Sequence, residues 1–218
     1  MKELSRALLA LFALLPLACH GVDPPAFELN KQYKEVMAPQ PPADPKSIEV
    51  TEVFWYGCPH CYRFDPYIDQ WLAHKAADVV FNRMPAAIGR EAGILHSKAF
   101  YTAQQLGISD RIHKPLFDAI HKDGKTMEMT TPEGLRALFI SAGGVKGEDF
   151  DGAFNSFAVD SRVRAAEARL AAMGITSVPT VVVQGRYYSN GSLAGNYDTL
   201  LKVVDFLVDK VRREREKK

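Results

Sequence analysis

Phe54-Trp55-Tyr56-Gly57-Cys58-Pro59-His60-Cys61 is the stretch that decides how this 218-residue chain is read. It ends an apolar, strand-like segment, Ser47–Tyr56, that carries Ile48, Val50, Val53, Phe54 and Trp55. A Tyr-Gly break follows, and then a segment with helical spacing. Two cysteines separated by two residues at a strand-to-helix junction form a redox arrangement. The spacing lets the first turn of a helix hold both sulfurs within bonding distance. Cys58 is placed at the helix N-terminus, where unpaired backbone N–H groups and the helix dipole favour an anion. Pro59 suits the first helical position, because its missing N–H has no intrahelical acceptor there. His60 adds a positive charge beside the thiolate when protonated. These features predict a depressed Cys58 pKa and a stabilised reduced form, which makes the corresponding disulfide a strong oxidant. Cys61, one turn further in, reads as the buried resolving thiol.

Two other uses of the cysteines fit the sequence less well. A structural disulfide closing so small a ring removes little chain entropy. A zinc site with Cys58, His60 and Cys61 as ligands lacks a second knuckle, since no further Cys-x-x-Cys or His-x-x-x-His occurs in the chain.

Composition is that of a soluble globular protein, with 47% hydrophobic and 24% charged residues. A net charge of +1 gives no argument for nucleic acid or an anionic membrane surface. Residues 1–18 read as a secretory signal peptide: Lys2 and Arg6 are the positive n-region and Leu8 to Leu17 the apolar core. That core is too short for an ordinary membrane span. Export implies an oxidising compartment, the periplasm, where a dithiol oxidant is useful. Cys19 follows Leu15-Pro16-Leu17-Ala18, which resembles a bacterial lipobox except at Pro16. Lipidation of Cys19 is the favoured reading; its removal, or retention as a free thiol, is the alternative. Residues 19–26 form a tether.

Organisation follows from punctuation. Asn30–Val36 is predicted as a first strand, and Ala38–Pro45, with Pro39, Pro41, Pro42 and Pro45, as an extended connector. Pro59–Lys75 is predicted helical and Val79–Met84 a strand. From about Ala92 to Phe157 the pattern is helical with short interruptions, among them Gly107-Ile108-Ser109-Asp110, a helix start at Thr130-Thr131-Pro132-Glu133 and a stop at Gly143-Gly144. Val159–Met173 is a further helix. Pro179–Gln184 is a buried strand, Gly185-Arg186 a tight turn and Tyr187–Ser189 the returning strand. Tyr197, Leu200, Leu201, Val204, Leu207, Val208 and Val211 line a last helix, with Arg212, Arg213 and Arg215 suited to its C-terminal dipole.

Two residues outside the cysteine motif stand out. Pro179 opens a buried strand where it removes a ladder donor, as a trans strand-start proline or as a cis proline at the site. Glu52 lies in an apolar strand, sharing a face with Val50 and Phe54. Either it is at an edge in solvent, or it is buried without a partner, with raised proton affinity, and serves as proton relay for Cys61. The last reading is favoured. His74, His96, His113 and His121 are read as surface or packing residues; His113 and His121 are eight apart rather than one turn.

The chain resembles the DsbA family of thiol:disulfide oxidoreductases. The residues that carry the resemblance are Glu52-Val53-Phe54, Cys58-Pro59-His60-Cys61-Tyr62, Lys114-Pro115-Leu116-Phe117, Ala153-Phe154-Asn155-Ser156-Phe157 and Gly174-Ile175-Thr176-Ser177-Val178-Pro179. The resemblance implies an α/β, thioredoxin-like fold with an inserted all-helical domain. The thioredoxin-like part comprises residues 27–86 and 159–214, and the insertion 87–158. It also implies Cys58 as nucleophile, Cys61 as resolving thiol, His60 as thiolate stabiliser, Pro179 after Val178 as the cis proline beside the cysteines, and Glu52 as the buried acid. The implied partners are reduced, unfolded exported proteins and a DsbB-like, quinone-linked membrane protein that reoxidises the site. No cofactor, metal or nucleic acid is called for, and a monomer is expected. The alternatives are a disulfide isomerase or reductase, for which too little chain precedes Ser47 to build a dimerisation domain, and a non-catalytic metal-binding chaperone module.

Overall fold

A computed structural model describes residues 26–42 and 44–217. The signal segment, most of the tether and Cys19 lie outside the described residues. Five strands form one mixed sheet: β1 (Lys34–Glu35), β2 (Ile48–Phe54), β3 (Val79–Pro85), β4 (Thr180–Val183) and β5 (Tyr187–Asn190), in the order β1-β5-β4-β2-β3. β2 and β3 are parallel, joined through helix α1 (Pro59–Leu72); the other pairings are antiparallel. Every residue of β2 is buried, as expected for a central strand covered on both faces.

The helices follow the same logic. α2 (Glu91–Gln105), α3 (Ser109–His121), α4 (Thr126–Met129), α5 (Pro132–Ser141) and α6 (Gly147–Phe154) come between β3 and α7 (Phe157–Met173). Thr131 caps α5 through the Gly134 N–H with Pro132 in the first turn, and Ser156 caps α7 through the Val159 N–H. Gly174 ends α7 in the left-handed conformation at φ 71°. A short α8 (Gly191–Ala194) precedes α9 (Tyr197–Glu216), which Asn196 caps.

Each face of the sheet has its own core. On one, Ile48, Val50, Val181 and Val183 pack with Phe64, Ile68 and Trp71 of α1 and with Leu200, Val204 and Leu207 of α9. A second cluster joins Val53, Val182 and, at the end of β2, Phe54 to Phe100, Leu116, Phe117, Phe139 and Phe150 of the inserted helices and Leu170 of α7. The architecture is the thioredoxin-like sheet with a helical insertion. No helix among the described residues is long and apolar enough to cross a membrane.

Three local expectations need correction. The strand predicted over Asn30–Val36 shrinks to Lys34–Glu35, because Asn30 turns the chain at φ 66° and Leu29 bridges back to Tyr33. The first helix stops at Leu72 rather than Lys75, since the His74 and Lys75 N–H groups both return to the Trp71 carbonyl. The hairpin turn is centred on Gln184 and Gly185, at φ 56° and 58°, not on Gly185-Arg186. Two successive positive φ values match the twist of a tight hairpin. Gly185 is required there also by space, because a Cβ would meet the Gln40 carbonyl oxygen at 2.1 Å.

Candidate active site

β2 delivers the chain to the site, and the break after it has a packing cause. A Cβ on Gly57 would lie 2.3 Å from the Trp55 indole, so only glycine lets that ring fold over the turn. The Arg90 guanidinium sits 5.4 Å from the same ring. Cys58 is the N-cap of α1 in extended conformation, with Pro59 in the first turn. Cys58 is 7% exposed and Cys61 fully buried, and the two are unbridged.

The two sulfurs have opposite proton affinities. The Cys58 thiol is lowered from 9.0 to about 6. The largest cause is a hydrogen bond from the Cys61 thiol; burial opposes it, and the backbone N–H groups of Cys61 and His60 and then the His60 charge add to it. The His60 side chain thus contributes least of these; it is exposed, and its Nδ1 accepts from Arg63 at 2.9 Å. Cys61 is pushed well above the usual thiol value, first by burial, then by its hydrogen bond to Cys58, the Cys58 charge and the Glu52 charge.

The outer side of Cys58 is an edge. Its Sγ lies 3.8 Å from the Val178 carbonyl oxygen, and the Val178–Pro179 peptide is cis. Next to it runs an open cleft of about 480 Å³ lined by His60, Tyr67, Ser177, Val178, Pro179 and Tyr197 among others. The Tyr197 hydroxyl donates to the His60 carbonyl at 3.1 Å and so ties α9 to the motif.

The inner side is a buried charged cluster. Glu52 is 2% exposed, and its carboxyl is pushed up from 4.5 to about 7, by burial first, with Arg83 opposing and Asp65 and Asp69 adding. It is not without a partner, as the apolar strand suggested. Glu52 stands beside Arg83 in the parallel β2–β3 register, and Arg83 Nε donates to Glu52 Oε2 at 3.0 Å. Arg83 Nη2 donates to Asp65 Oδ1 of α1 at 2.9 Å. Burial pushes the Asp65 carboxyl up, but its bond with His113 and the nearby positive charges outweigh this and the net shift is downward.

Sequence reasoning missed Arg83, Asp65 and the contribution of α3. His113 lies 3.1 Å from Asp65 and 3.0 Å from the Tyr56 hydroxyl. His121 donates from Nε2 to the Tyr56 carbonyl at 2.7 Å and stacks on Tyr62 with ring centroids 5.0 Å apart. His121 therefore touches residues on both sides of the cysteine pair, while Phe117 packs edge-on against Tyr56 between the two histidines. The signal was present: His113, Phe117 and His121 at intervals of four share one helical face. His96 behaves as a packing residue, buried with Nε2 on the Met129 carbonyl, and His74 is exposed. Among the described residues no group of three or more His, Cys, Asp or Glu side chains is placed to hold a metal ion.

A site with a thiolate-prone outer cysteine, a proton-retaining inner cysteine and a buried acid can exchange disulfides. Comparison with known proteins agrees. Residues 94–204 match the family model of the DSBA-like thioredoxin domain. The thiol:disulfide interchange protein DsbA of Pseudomonas aeruginosa is 38% identical over 213 residues, 97% of each chain. That of Azotobacter vinelandii is 39% identical over 203 residues, 93% of this chain and 92% of its own. The crystal structure of Pseudomonas aeruginosa DsbA superposes with a TM-score of 0.80 at 37% identity, covering 87% of this chain and 97% of that one. On the cysteine motif, the fold and these matches, the chain belongs to the DsbA family of thioredoxin-like proteins.

Proposed function

We propose that this protein is a thiol:disulfide oxidoreductase that donates its Cys58–Cys61 disulfide to reduced proteins. The observation that carries the reading is the split between the two sulfurs: Cys58 titrates at about 6 while Cys61 is pushed well above the thiol range. A thiolate stable at neutral pH stabilises the dithiol form and makes the disulfide oxidising.

The chemistry runs in two exchanges. A substrate thiolate attacks Cys58 Sγ, the Cys58–Cys61 bond breaks, and its electron pair leaves on Cys61. Cys61 takes a proton, for which Glu52 is the nearby donor. A second substrate thiolate then attacks the substrate sulfur of the mixed disulfide and Cys58 leaves as thiolate, so the substrate is oxidised and the protein reduced by two electrons. Pro59 and His60 hold the thiolate end of the motif. Val178 and Pro179 form the edge against which an extended peptide lies, with the adjoining cleft for its side chains.

The protein works in the periplasm, exported by residues 1–18 and tethered through 19–26, with Cys19 as a lipidation site. Its chain divides into a thioredoxin-like part, 27–86 with 159–214, and a helical insertion, 87–158. Its partners are reduced exported proteins and a DsbB-like membrane oxidant that restores the disulfide.

Equilibration of the pair with a glutathione buffer tests the function. An equilibrium favouring the reduced protein in a moderately oxidising buffer is expected, together with oxidation of a reduced unfolded protein that Cys58→Ser abolishes. A strongly reducing potential sinks the donor reading. Mass spectrometry of the mature N-terminus tests the anchor: an unmodified first residue rules out the lipid.

A further inference from the structure

His113 is a titratable group of the inner cluster to which the exchange chemistry assigns nothing. It reaches the cluster from α3, its side chain is 13% exposed, and both ring nitrogens are engaged. Its partners settle the proton positions. Burial pushes the Tyr56 phenol far above its ordinary value, so that hydroxyl stays a donor and Nδ1 accepts from it. Nε2 then carries the hydrogen and donates to Asp65 Oδ1. Burial also pushes the imidazole itself below its usual range, with Asp65 opposing, which suits a neutral ring.

Asp65 Oδ1 accepts from two donors, His113 Nε2 and Arg83 Nη2, and Arg83 has its Nε on Glu52. One guanidinium is thus hydrogen-bonded to two carboxylates, with Asp69 3.8 Å away as a third, and His113 supplies part of what Asp65 needs. Other charges face this arrangement too: Asp65 and Asp69 from α1, Arg83 from β3, Glu52 from β2, and Lys114 and Asp110 from α3 itself. A cleft of about 180 Å³, lined by Tyr56, Arg83, Phe100, Gln104, Asp110 and His113 among others, opens this end of the cluster to solvent. That volume holds several waters at roughly 30 Å³ each.

We propose that His113 is a positioning residue for Glu52: by donating to Asp65 it keeps Arg83 shared, and so sets how tightly Glu52 holds the proton that passes to Cys61. The proposal rests on the reading of Glu52 as that proton donor. When the disulfide opens, the S–S electron pair goes to Cys61, the Glu52 carboxyl proton goes to Cys61, and the carboxylate remains beside Arg83. Solvent in the cleft later returns a proton to Glu52. If His113 no longer donates, Asp65 draws Arg83 to itself and Glu52 keeps its proton to higher pH. If Asp65 loses its charge, Arg83 falls wholly to Glu52 and the proton is lost at lower pH.

The experiment is the rate of reduction of the oxidised protein by a small thiol between pH 4.5 and 9, corrected for ionisation of that thiol, with the Cys58 thiolate titrated separately by absorbance. His113→Phe is expected to move the limb due to Glu52 upward by about one pH unit and leave the Cys58 titration in place. His113→Gln can donate to Asp65 and accept from Tyr56, and is expected to restore the limb. Asp65→Asn, which keeps the volume, is expected to move it downward and remains readable if the Phe variant misfolds; the upward shift in His113→Phe is the direction that general loosening, which hydrates Glu52 and lowers it, does not produce. A limb that stays put in His113→Phe, a Gln variant that behaves like Phe, or an upward shift in Asp65→Asn overturns the proposal. Glu52→Gln separates the two ideas: if the limb survives in that variant, the Glu52 reading itself fails, whatever the His113 variants do.

Discussion

The two sides of the cysteine pair, one helical turn apart, are built from opposite materials. Outside Cys58 lie the cis Val178–Pro179 segment, a cleft and first-turn N–H groups, with exposed His60 beside them. Inside Cys61 lie the buried carboxylates of Glu52 and Asp65 and the Arg83 guanidinium between β2, β3, α1 and α3, with exposed Asp69 at the margin. The same functional group gives up its proton on one side and keeps it on the other. The difference teaches that reactivity here is set by surroundings: donors to the anion outside, desolvation and negative charge inside.

The contrast is broken most severely at Arg83. Arg83→Met leaves Glu52 and Asp65 buried without their cation, and a loss of about 3–5 kcal/mol is expected in urea unfolding at pH 8. The loss is expected to be smaller at pH 5, where Glu52 is protonated. An equal loss at both pH values would mean that Glu52 is not the group left stranded.

Next in size is Glu52 itself. Its carboxyl holds a proton more tightly folded than unfolded, about 7 against 4.5. The stability this contributes is fully present below pH 4.5 and is lost as pH rises through 7. The wild type is expected to lose up to about 3 kcal/mol from this group between pH 4.5 and 8. Glu52→Gln removes that slope, so the variant gains on the wild type as pH rises. Parallel unfolding midpoints across that window would discard the assignment.

The smallest effect sharpens the outer side. His60→Ser removes the weakest of the influences on Cys58 and is expected to raise its titration by no more than about one pH unit from 6. A larger shift in thiolate absorbance would place the imidazole ahead of the backbone N–H groups.

Much of the outer side was legible in the sequence, because short-range rules govern it. Cys58, Pro59 and His60 are ordered by a helix start, and Val178–Pro179 by the strand that follows. The inner side was harder. Glu52 stood out because a carboxylate in an apolar strand is costly, but its partner sits 31 residues on, and β2–β3 register, not sequence proximity, brings it there. Asp65 hides among the helical positions of α1, and α3 reaches the site only through the packing of the insertion. The first strand failed for the converse reason: an asparagine at positive φ turned the chain back where an extended segment was expected. The hairpin turn slipped by one residue because Gln184 takes a conformation more often left to glycine, asparagine or aspartate.

The core on the insertion side runs without interruption from Val53 and Phe54 of the central strand to Phe139 and Phe150 of α5 and α6. In the order of the chain, the helices between β3 and α7 are an addition; in thermodynamic terms they are not. Excising them would strip one face of the sheet, and the helices alone would expose the surface that β2 covers. Amide exchange in β2 and in α5 is therefore expected to follow one opening event, with protection lost together across the shared core.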